Sequence, residues 1–126
     1  RIVAAEMRMA GKTGTSQVRN ISAAEREGGV TSNEDLPWAQ RDHALFVAFA
    51  PVDSPRYAVS LVVEHGGGGS AVAAPLARDM LLFALYGALP PLSAYPESQR
   101  TRIRTQHEQM QLVDPDAPPE TGNTRA

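Results

Sequence analysis

The sequence predicts an α/β chain of the α+β type, with three antiparallel strands followed by a C-terminal helix. Two short apolar runs flank a Pro-bounded turn, which is typical of a hairpin. A Gly-rich link then leads into apolar residues at helical spacing. A segment rich in Thr and small residues precedes both features and predicts one more strand.

The first strand is predicted over residues 7–18, which alternate loosely in polarity. Gly11 and Gly14 weaken it as a plain structural strand, because Gly inside a strand often marks a place where something approaches the backbone closely. Residues 19–43 are polar, contain several turn-forming residues and predict a long loop. We expect Trp38, the only Trp, to anchor the return of this loop to the core.

A hairpin is predicted from the apolar runs 44–50 and 56–64, which flank a turn containing two Pro residues. Both runs are nearly continuous in apolar residues, so we expect them to be buried on both faces of a sheet. The glycines at 66–69 predict a tight link to a helix over 71–87, with Pro75 in its first turn. The apolar face of this helix is predicted to contain Val72, Leu76, Met80, Phe83 and Leu85, with Arg78 and Asp79 outside.

From residue 93 onward, apolar residues become sparse and polar residues dominate. Residues 97–111 predict a weak helix, and we expect 93–126 as a whole to be a polar, disordered tail beyond an ordered portion of residues 1–92. Three strands and one helix leave one sheet face uncovered, which indicates a piece of a larger fold. Because the chain begins with Arg1 rather than Met, we expect further residues upstream in a longer protein, here called the parent protein.

Composition excludes several classes of function. The net charge of −2 gives no electrostatic footprint for nucleic acid, and the longest apolar run has seven residues, where a membrane span needs about 20. Cys is absent, which excludes thiolate zinc sites and cysteine nucleophiles. The three His residues are too scattered to predict a metal site, and no cofactor is expected; His43 and His65 are predicted to be structural.

The single lysine is the strongest local signal. Eleven of the 12 basic residues are Arg, so Lys12 indicates a place that needs a compact, titratable ammonium group. The sequence Gly11-Lys12-Thr13 could belong to a phosphate-binding loop, but Glu6 then occupies the position of that motif's first Gly, and no helix start follows. A nucleotide-binding function is therefore disfavoured.

Lys12-Thr13-Gly14 also forms the K-T-G box of serine acyl-transferases. Acyl transfer at a D-Ala-D-Ala end needs a cation and hydroxyl groups near the terminal carboxylate, which Lys12, Thr13 and Thr15 supply. Gly14 would let an acyl chain lie against the strand. Alternation places Lys12 on one face and both threonines on the other, so such a site must use the edge of the strand.

The surrounding sequence makes a resemblance specific. In order along the chain, residues 9–18 (MAGKTGTSQV), 41–51 (RDHALFVAFAP), 62–69 (VVEHGGGG) and 73–75 (AAP) resemble the end of class B penicillin-binding proteins, above all the elongation-type enzymes. The resemblance covers roughly residues 7–85. It implies a peptidoglycan D,D-transpeptidase with a five-stranded antiparallel sheet between helices, of which this chain holds the last three strands and the C-terminal helix.

The resemblance also implies roles and partners. Lys12 would position the substrate and serve the catalytic proton network, Thr13 and Thr15 would bind the carboxylate with Gly14 beside them, and the Thr15 N–H would complete the oxyanion hole. The implied ligands are D-Ala-D-Ala stem peptides and β-lactams. The implied partners are a separate glycosyltransferase and other cell-wall elongation proteins. The parent protein would be anchored in the cytoplasmic membrane, with its catalytic domain on the outer side.

Two of the family's three catalytic motifs are missing. No Ser is followed three residues later by Lys, so the S-x-x-K box is absent, and no S-x-N box precedes Lys12. We therefore expect this chain alone to be inactive and the parent protein to be the enzyme. A non-catalytic binding module on the same scaffold is the alternative, and the sequence upstream of Arg1 would distinguish the two.

Overall fold

The sheet has three antiparallel strands in the order β1-β2-β3, in a computed structural model that describes residues 1–113 and 116. Strand β1 is Ala10–Ser16, β2 is His43–Ala50 and β3 is Tyr57–Val63. All three predicted strands are confirmed; β1 and β3 are shorter than predicted, and β2 is one residue longer. Since β2 lies in the middle, β1 has one paired edge, and no strand of the described residues pairs with its outer edge.

The two faces of the sheet are covered differently. Alternate residues of β2 from Ala44 to Ala50 are buried against the helix that follows the sheet, whereas Val47 and Phe49 between them are 51% and 38% exposed. We call these the covered face and the open face. The expectation that both faces are buried is therefore wrong for the described residues, because one helix can cover only one side of a sheet.

That helix, α2, is Ala74–Tyr86, and a π-helical turn over Gly69–Ala73 leads into it. Pro75 lies in its first turn and Gly87 ends it in the left-handed conformation at φ 67°, as predicted. The predicted apolar face is confirmed for Leu85, which is buried, and for Val72, which packs against the core, but is wrong for the rest of the helix. Arg78 is only 1% exposed, while the solvent-facing apolar side chains are Leu76, Met80 and Phe83.

The reason is a second layer behind α2. Helix α3, Glu97–Gln109, and a 3-10 turn at Leu92–Ala94 pack there, so α2 has buried sides toward both the sheet and this layer. The weak helix predicted over 97–111 is confirmed, and the expected disorder from 93 onward is wrong as far as 109. Residues 114–115 and 117–126 of the expected tail lie outside the described residues. Among the described helices, none combines the length and apolarity that crossing a membrane requires.

The long loop between β1 and β2 contains a short helix, α1, Ala23–Gly28. A capping box stabilises its start: the Ser22 hydroxyl accepts from the Glu25 N–H, and the Glu25 carboxylate accepts from the Ser22 N–H. Trp38 is 62% exposed with its ring against that of His65, so its predicted core anchoring is wrong. Polar bonds fix the return of the loop instead, as described below.

Candidate active-site strand

Strand β1 places the predicted site residues along one edge of the sheet. Lys12 lies opposite Val47 on the open face, while Thr13 lies opposite Phe46 on the covered face. Thr15 shares the covered face, opposite Ala44. The predicted alternation is confirmed, so the only place these side chains share is the outer edge of β1. The roles assigned to Lys12, Thr13, Gly14 and Thr15 stay predictions.

The Lys12 side chain is exposed, and its ammonium donates a hydrogen bond of 2.8 Å to the Thr13 carbonyl oxygen. Within residues 1–113 and 116 the ammonium forms no ion pair. Because a carboxylate bound there would meet a cation with no competing protein anion, the strand is suited to an acidic ligand group. The lysine does not sit at a helix N-terminus, which also argues against a phosphate-binding loop.

Gly69 is packed beneath this strand. A Cβ atom built on Gly69 would lie 2.6 Å from the Leu45 carbonyl oxygen, 3.0 Å from the Gly14 carbonyl oxygen and 3.2 Å from the Thr13 Cβ. Such distances are shorter than van der Waals contact, so only Gly lets the π-helical turn approach β1 this closely. The Gly-rich run predicted a tight link, but nothing in the sequence indicated which glycine touches the strand.

Polar contacts fix the end of the site strand. The Asp42 carboxylate accepts from the Val18 N–H at 3.3 Å and from the Asn33 side-chain amide at 3.3 Å. The Asp42 N–H donates in return to the Asn33 side-chain oxygen at 2.9 Å, and the Gly67 N–H donates to the Asp42 carbonyl oxygen. Asp42 therefore ties the start of β2 to the beginning and the middle of the long loop and to the Gly-rich link. Sequence reasoning gave Asp42 no such role.

His43 and His65 support the same end of the sheet. The His65 N–H donates to His43 Nδ1 at 2.9 Å, and His65 Nδ1 donates to the Arg41 carbonyl oxygen at 2.9 Å. His65 has a left-handed backbone at φ 54°, which is uncommon for a residue other than Gly. Both histidines are structural, as predicted. In the part of the chain that the structure describes, no three metal-ligating side chains group together.

The open face beside Lys12 forms a shallow apolar hollow. Its lining includes Lys12, Val47, Phe49, Ala58 and Ser60. Lys12 on this face, the Thr13 and Thr15 hydroxyls on the other face, and the edge between them, which is unpaired in the described residues, can together bind an extended peptide that ends in a carboxylate. This arrangement does not supply the family's nucleophile, since Lys12 is the only lysine in the sequence and an S-x-x-K box cannot exist here.

Comparisons with known proteins identify the family of the chain. Residues 3–82 match the family described as the penicillin binding protein transpeptidase domain. Peptidoglycan D,D-transpeptidase MrdA of Haemophilus influenzae is 37% identical over 108 residues, covering 84% of this chain and 16% of that protein. The Escherichia coli K12 protein of the same name is 39% identical over 83 residues, covering 66% of this chain and 12% of that protein.

A solved complex of penicillin-binding protein PBP2 with MreC from Helicobacter pylori is also similar, at 32% identity and a TM-score of 0.47. That match covers 68% of this chain and 13% of the other. The chain thus spans about a sixth or less of the length of the relatives named here. Because the family match extends over most of the described residues, the chain belongs to the penicillin binding protein transpeptidase domain family.

Proposed function

We propose that this chain is the substrate-binding, C-terminal part of a serine-type peptidoglycan D,D-transpeptidase. One observation carries the proposal: in a chain of this family, the K-T-G residues lie on an outer strand edge that is unpaired in the described residues, with the Lys12 ammonium free of ion pairs. An extended stem peptide would add to this edge as a further strand. Its terminal carboxylate would accept from the Thr13 and Thr15 hydroxyls beside Lys12.

The reaction would proceed by acyl transfer. The serine Oγ of the parent protein would attack the carbonyl carbon between the last two D-Ala residues, and the terminal D-Ala would leave as the free amino acid. The amine of a second stem peptide would then take the acyl group and restore the serine. The Thr15 N–H would stabilise the oxyanion that forms in each step, and Lys12 would hold the substrate and serve the proton network.

The open face supports a place for the missing nucleophile. Lys12 lies on that face, and the apolar side chains of Val47, Phe49 and Val62 there are 51%, 38% and 56% exposed. Apolar sheet surface of this kind is normally covered by another part of the protein. We propose that the parent protein covers the open face with the segment that carries the S-x-x-K serine, which brings its Oγ next to Lys12.

The wider setting follows from the family resemblance and is part of the same proposal. The ligands are D-Ala-D-Ala stem peptides and β-lactams, which resemble them. The partners are a glycosyltransferase that polymerises the glycan strands and other elongation proteins that determine cell shape, with no nucleic acid. The parent protein is anchored in the cytoplasmic membrane and acts on its outer side. No metal or cofactor takes part.

A labelled β-lactam tests the assignment. The chain alone should give no covalent adduct in mass spectrometry, whereas the parent protein should be acylated on a serine outside this chain. In the parent, Lys12→Ala should slow acylation by roughly tenfold to a hundredfold, because losing a charge-assisted contact costs on the order of 1.5–3 kcal/mol. Arg56→Ala is the control, since Arg56 lies in the turn just before β3 and its guanidinium lies over the Tyr57 ring.

Two results would contradict the proposal. A stoichiometric adduct on the chain alone would show that the nucleophile lies within it. Equal acylation rates of the Lys12→Ala and Arg56→Ala parents would show that the K-T-G strand has no part in the reaction. A third variant, Lys12→Arg, should remain slow, because a planar guanidinium does not replace a compact ammonium group.

A further inference from the structure

Arg78 forms a buried clasp between α2 and the C-terminal layer. Its Nη1 donates to the Gln99 side-chain oxygen at 2.6 Å, and its guanidinium carbon lies 4.9 Å from the centre of the Tyr95 ring. Its Nε donates to the Asp79 carboxylate at 2.7 Å. Arg78 and Tyr95 are each 1% exposed. We call Arg78, Tyr95 and Gln99 the clasp.

The C-terminal layer, residues 92–109, contacts the segment of the chain that precedes β1. The Val3 N–H donates to the Ala94 carbonyl oxygen at 2.9 Å. Ile2 is 4% exposed and shares one core cluster with Leu82, Tyr95 and Ile103. A single 3-10 turn at Ala5–Met7 separates Val3 from β1, which begins at Ala10. The segment that precedes Lys12 is therefore held in place by residues at the far end of the chain.

The position of β1 depends on few contacts. It has one neighbouring strand, the Gly69 turn beneath it, and the lead-in segment. Arg78 belongs to α2, which packs on the covered face, whereas Lys12 lies on the open face. Arg78 thus cannot touch a substrate bound beside Lys12, and any effect on the reaction must pass through the position of β1.

A contribution to the free energy of unfolding does not by itself explain why an arginine occupies position 78. Its Nη2 is buried without a hydrogen-bond partner among the described residues, and a buried charge is often no more stabilising than an apolar side chain of similar volume. A guanidinium does supply fixed, directional bonds that set how two elements lie against each other. We propose that Arg78 is a positioning residue, which through Tyr95 and Gln99 sets the lead-in to the K-T-G strand; this inference rests on the proposed function.

The test uses the parent protein, with Arg78→Met as the variant and Arg102→Met as the matched control. Arg102 is an exposed arginine on α3 whose only described side-chain bond, at 3.5 Å, goes to Gln106. Acylation by a labelled β-lactam should be at least tenfold slower in Arg78→Met and unchanged in Arg102→Met. A displacement of a substrate-binding group by about 1 Å can reduce a rate by about a hundredfold, so a tenfold decrease in acylation rate is consistent with a small shift of β1.

Amide hydrogen exchange separates positioning from a general loss of stability. In Arg78→Met, protection of the β1 amides should fall at least tenfold more than protection of the β3 amides. Gln99→Leu removes one bond of the clasp and serves if Arg78→Met fails to fold; it should show the same pattern with at least a threefold slower acylation. Arg78→Lys keeps the positive charge but lacks the planar guanidinium, so its acylation rate should lie between that of Arg78→Met and that of the unsubstituted parent.

Several results would overturn the inference. Arg78→Met and Gln99→Leu parents that are acylated at the control's rate would show that the clasp does not act on the site. Protection that falls equally in β1 and β3 would show a purely structural role. If instead the unsubstituted parent is not acylated at all, the proposed function itself fails, and the exchange pattern still decides whether the clasp positions β1.

Discussion

The covered and open faces of the sheet come from the same strands and have opposite surroundings. On β2, Phe46 is 7% exposed and packs among alanines and leucines, while Phe49, three residues later, is 38% exposed on the other face. The covered face of β2 is built mainly from Ala and the open face from larger side chains, yet each face includes a Phe whose exposure depends on its neighbours. The apolar character of a strand therefore does not by itself indicate which of its faces this chain covers.

The largest effect should come from truncating the same residue type on each face. Phe46→Ala should lower the free energy of unfolding by about 3–5 kcal/mol, because it leaves a cavity in a packed core. Phe49→Ala should lower it by less than about 1 kcal/mol, since this ring is partly solvated. Urea denaturation of the chain, followed by circular dichroism, measures both. Equal losses would mean that the open face is also packed in solution.

A smaller effect should come from adding one methyl group beneath the site strand. Gly69→Ala should destabilise the chain by about 1–3 kcal/mol, because its Cβ would press on the Leu45 and Gly14 carbonyl oxygens. Gly68→Ala is the matched control, as its nearest neighbouring atom would lie 4.0 Å away at φ −86°. The same denaturation experiment applies. A Gly69→Ala chain as stable as Gly68→Ala would show that the turn does not press against β1.

The core cluster behind α2, which contains Tyr95, should make the free energy of unfolding depend on pH above 10. Burial raises the pKa of Tyr95 from 10 to about 12, with a further contribution from the Asp79 charge. The folded chain then holds this proton longer than the unfolded chain, so the stabilisation is complete below pH 10 and is lost as the pH rises from 10 to 12. Tyr95→Phe should flatten that decline in unfolding free energy. Tyr57→Phe, on an exposed ring, should leave it unchanged.

The smallest effect concerns the exposed helix α1. The Ser22 N–H and then the Arg19 guanidinium hydrogen-bond the Glu25 carboxylate and lower its pKa from 4.5. The stabilisation is present above pH 4.5 and is lost as the pH falls through the lowered pKa. The protection factors of the α1 amides, which are corrected for the intrinsic exchange rate at each pH, should therefore fall in acid, and Glu25→Gln should remove this dependence. Glu27→Gln on the same helix should preserve it; an identical response of both variants would contradict the role of the capping box.

Patterns of backbone geometry and local propensity predicted most of the fold. The strands and the hairpin follow from β-branched runs and Pro positions, and the limits of α2 follow from Pro75 and Gly87. The alternation that separates Lys12 from Thr13 follows from the period of a strand. The K-T-G motif assigns the site to β1, whose register the structure gives, and the role of that strand as a substrate site stays a prediction.

Most of the predictions that the structure contradicts depend on contacts between parts of the chain that are distant in sequence. Helical periodicity predicts one apolar face for α2, but α2 packs against the sheet on one side and against residues 92–109 on the other. Arg78, predicted to face solvent, is therefore buried. The helix α1 was missed although Ser22 and Glu25 have the spacing of a capping box. The apolar ring of Trp38 predicts a contact with the core, but in the structure this ring packs against the His65 ring and is largely exposed.

The unpaired edge of β1 has a consequence for self-association. A free row of N–H and C=O groups pairs as readily with the same strand of another molecule as with a peptide, and such pairing propagates into aggregates. A charged side chain in the middle of an edge strand opposes it, because two copies would bring like charges together. Lys12 thus opposes edge-to-edge pairing of β1, independently of the binding role that we propose for it. A neutral residue there should make two chains adhere through β1, which light scattering of Lys12→Val would detect.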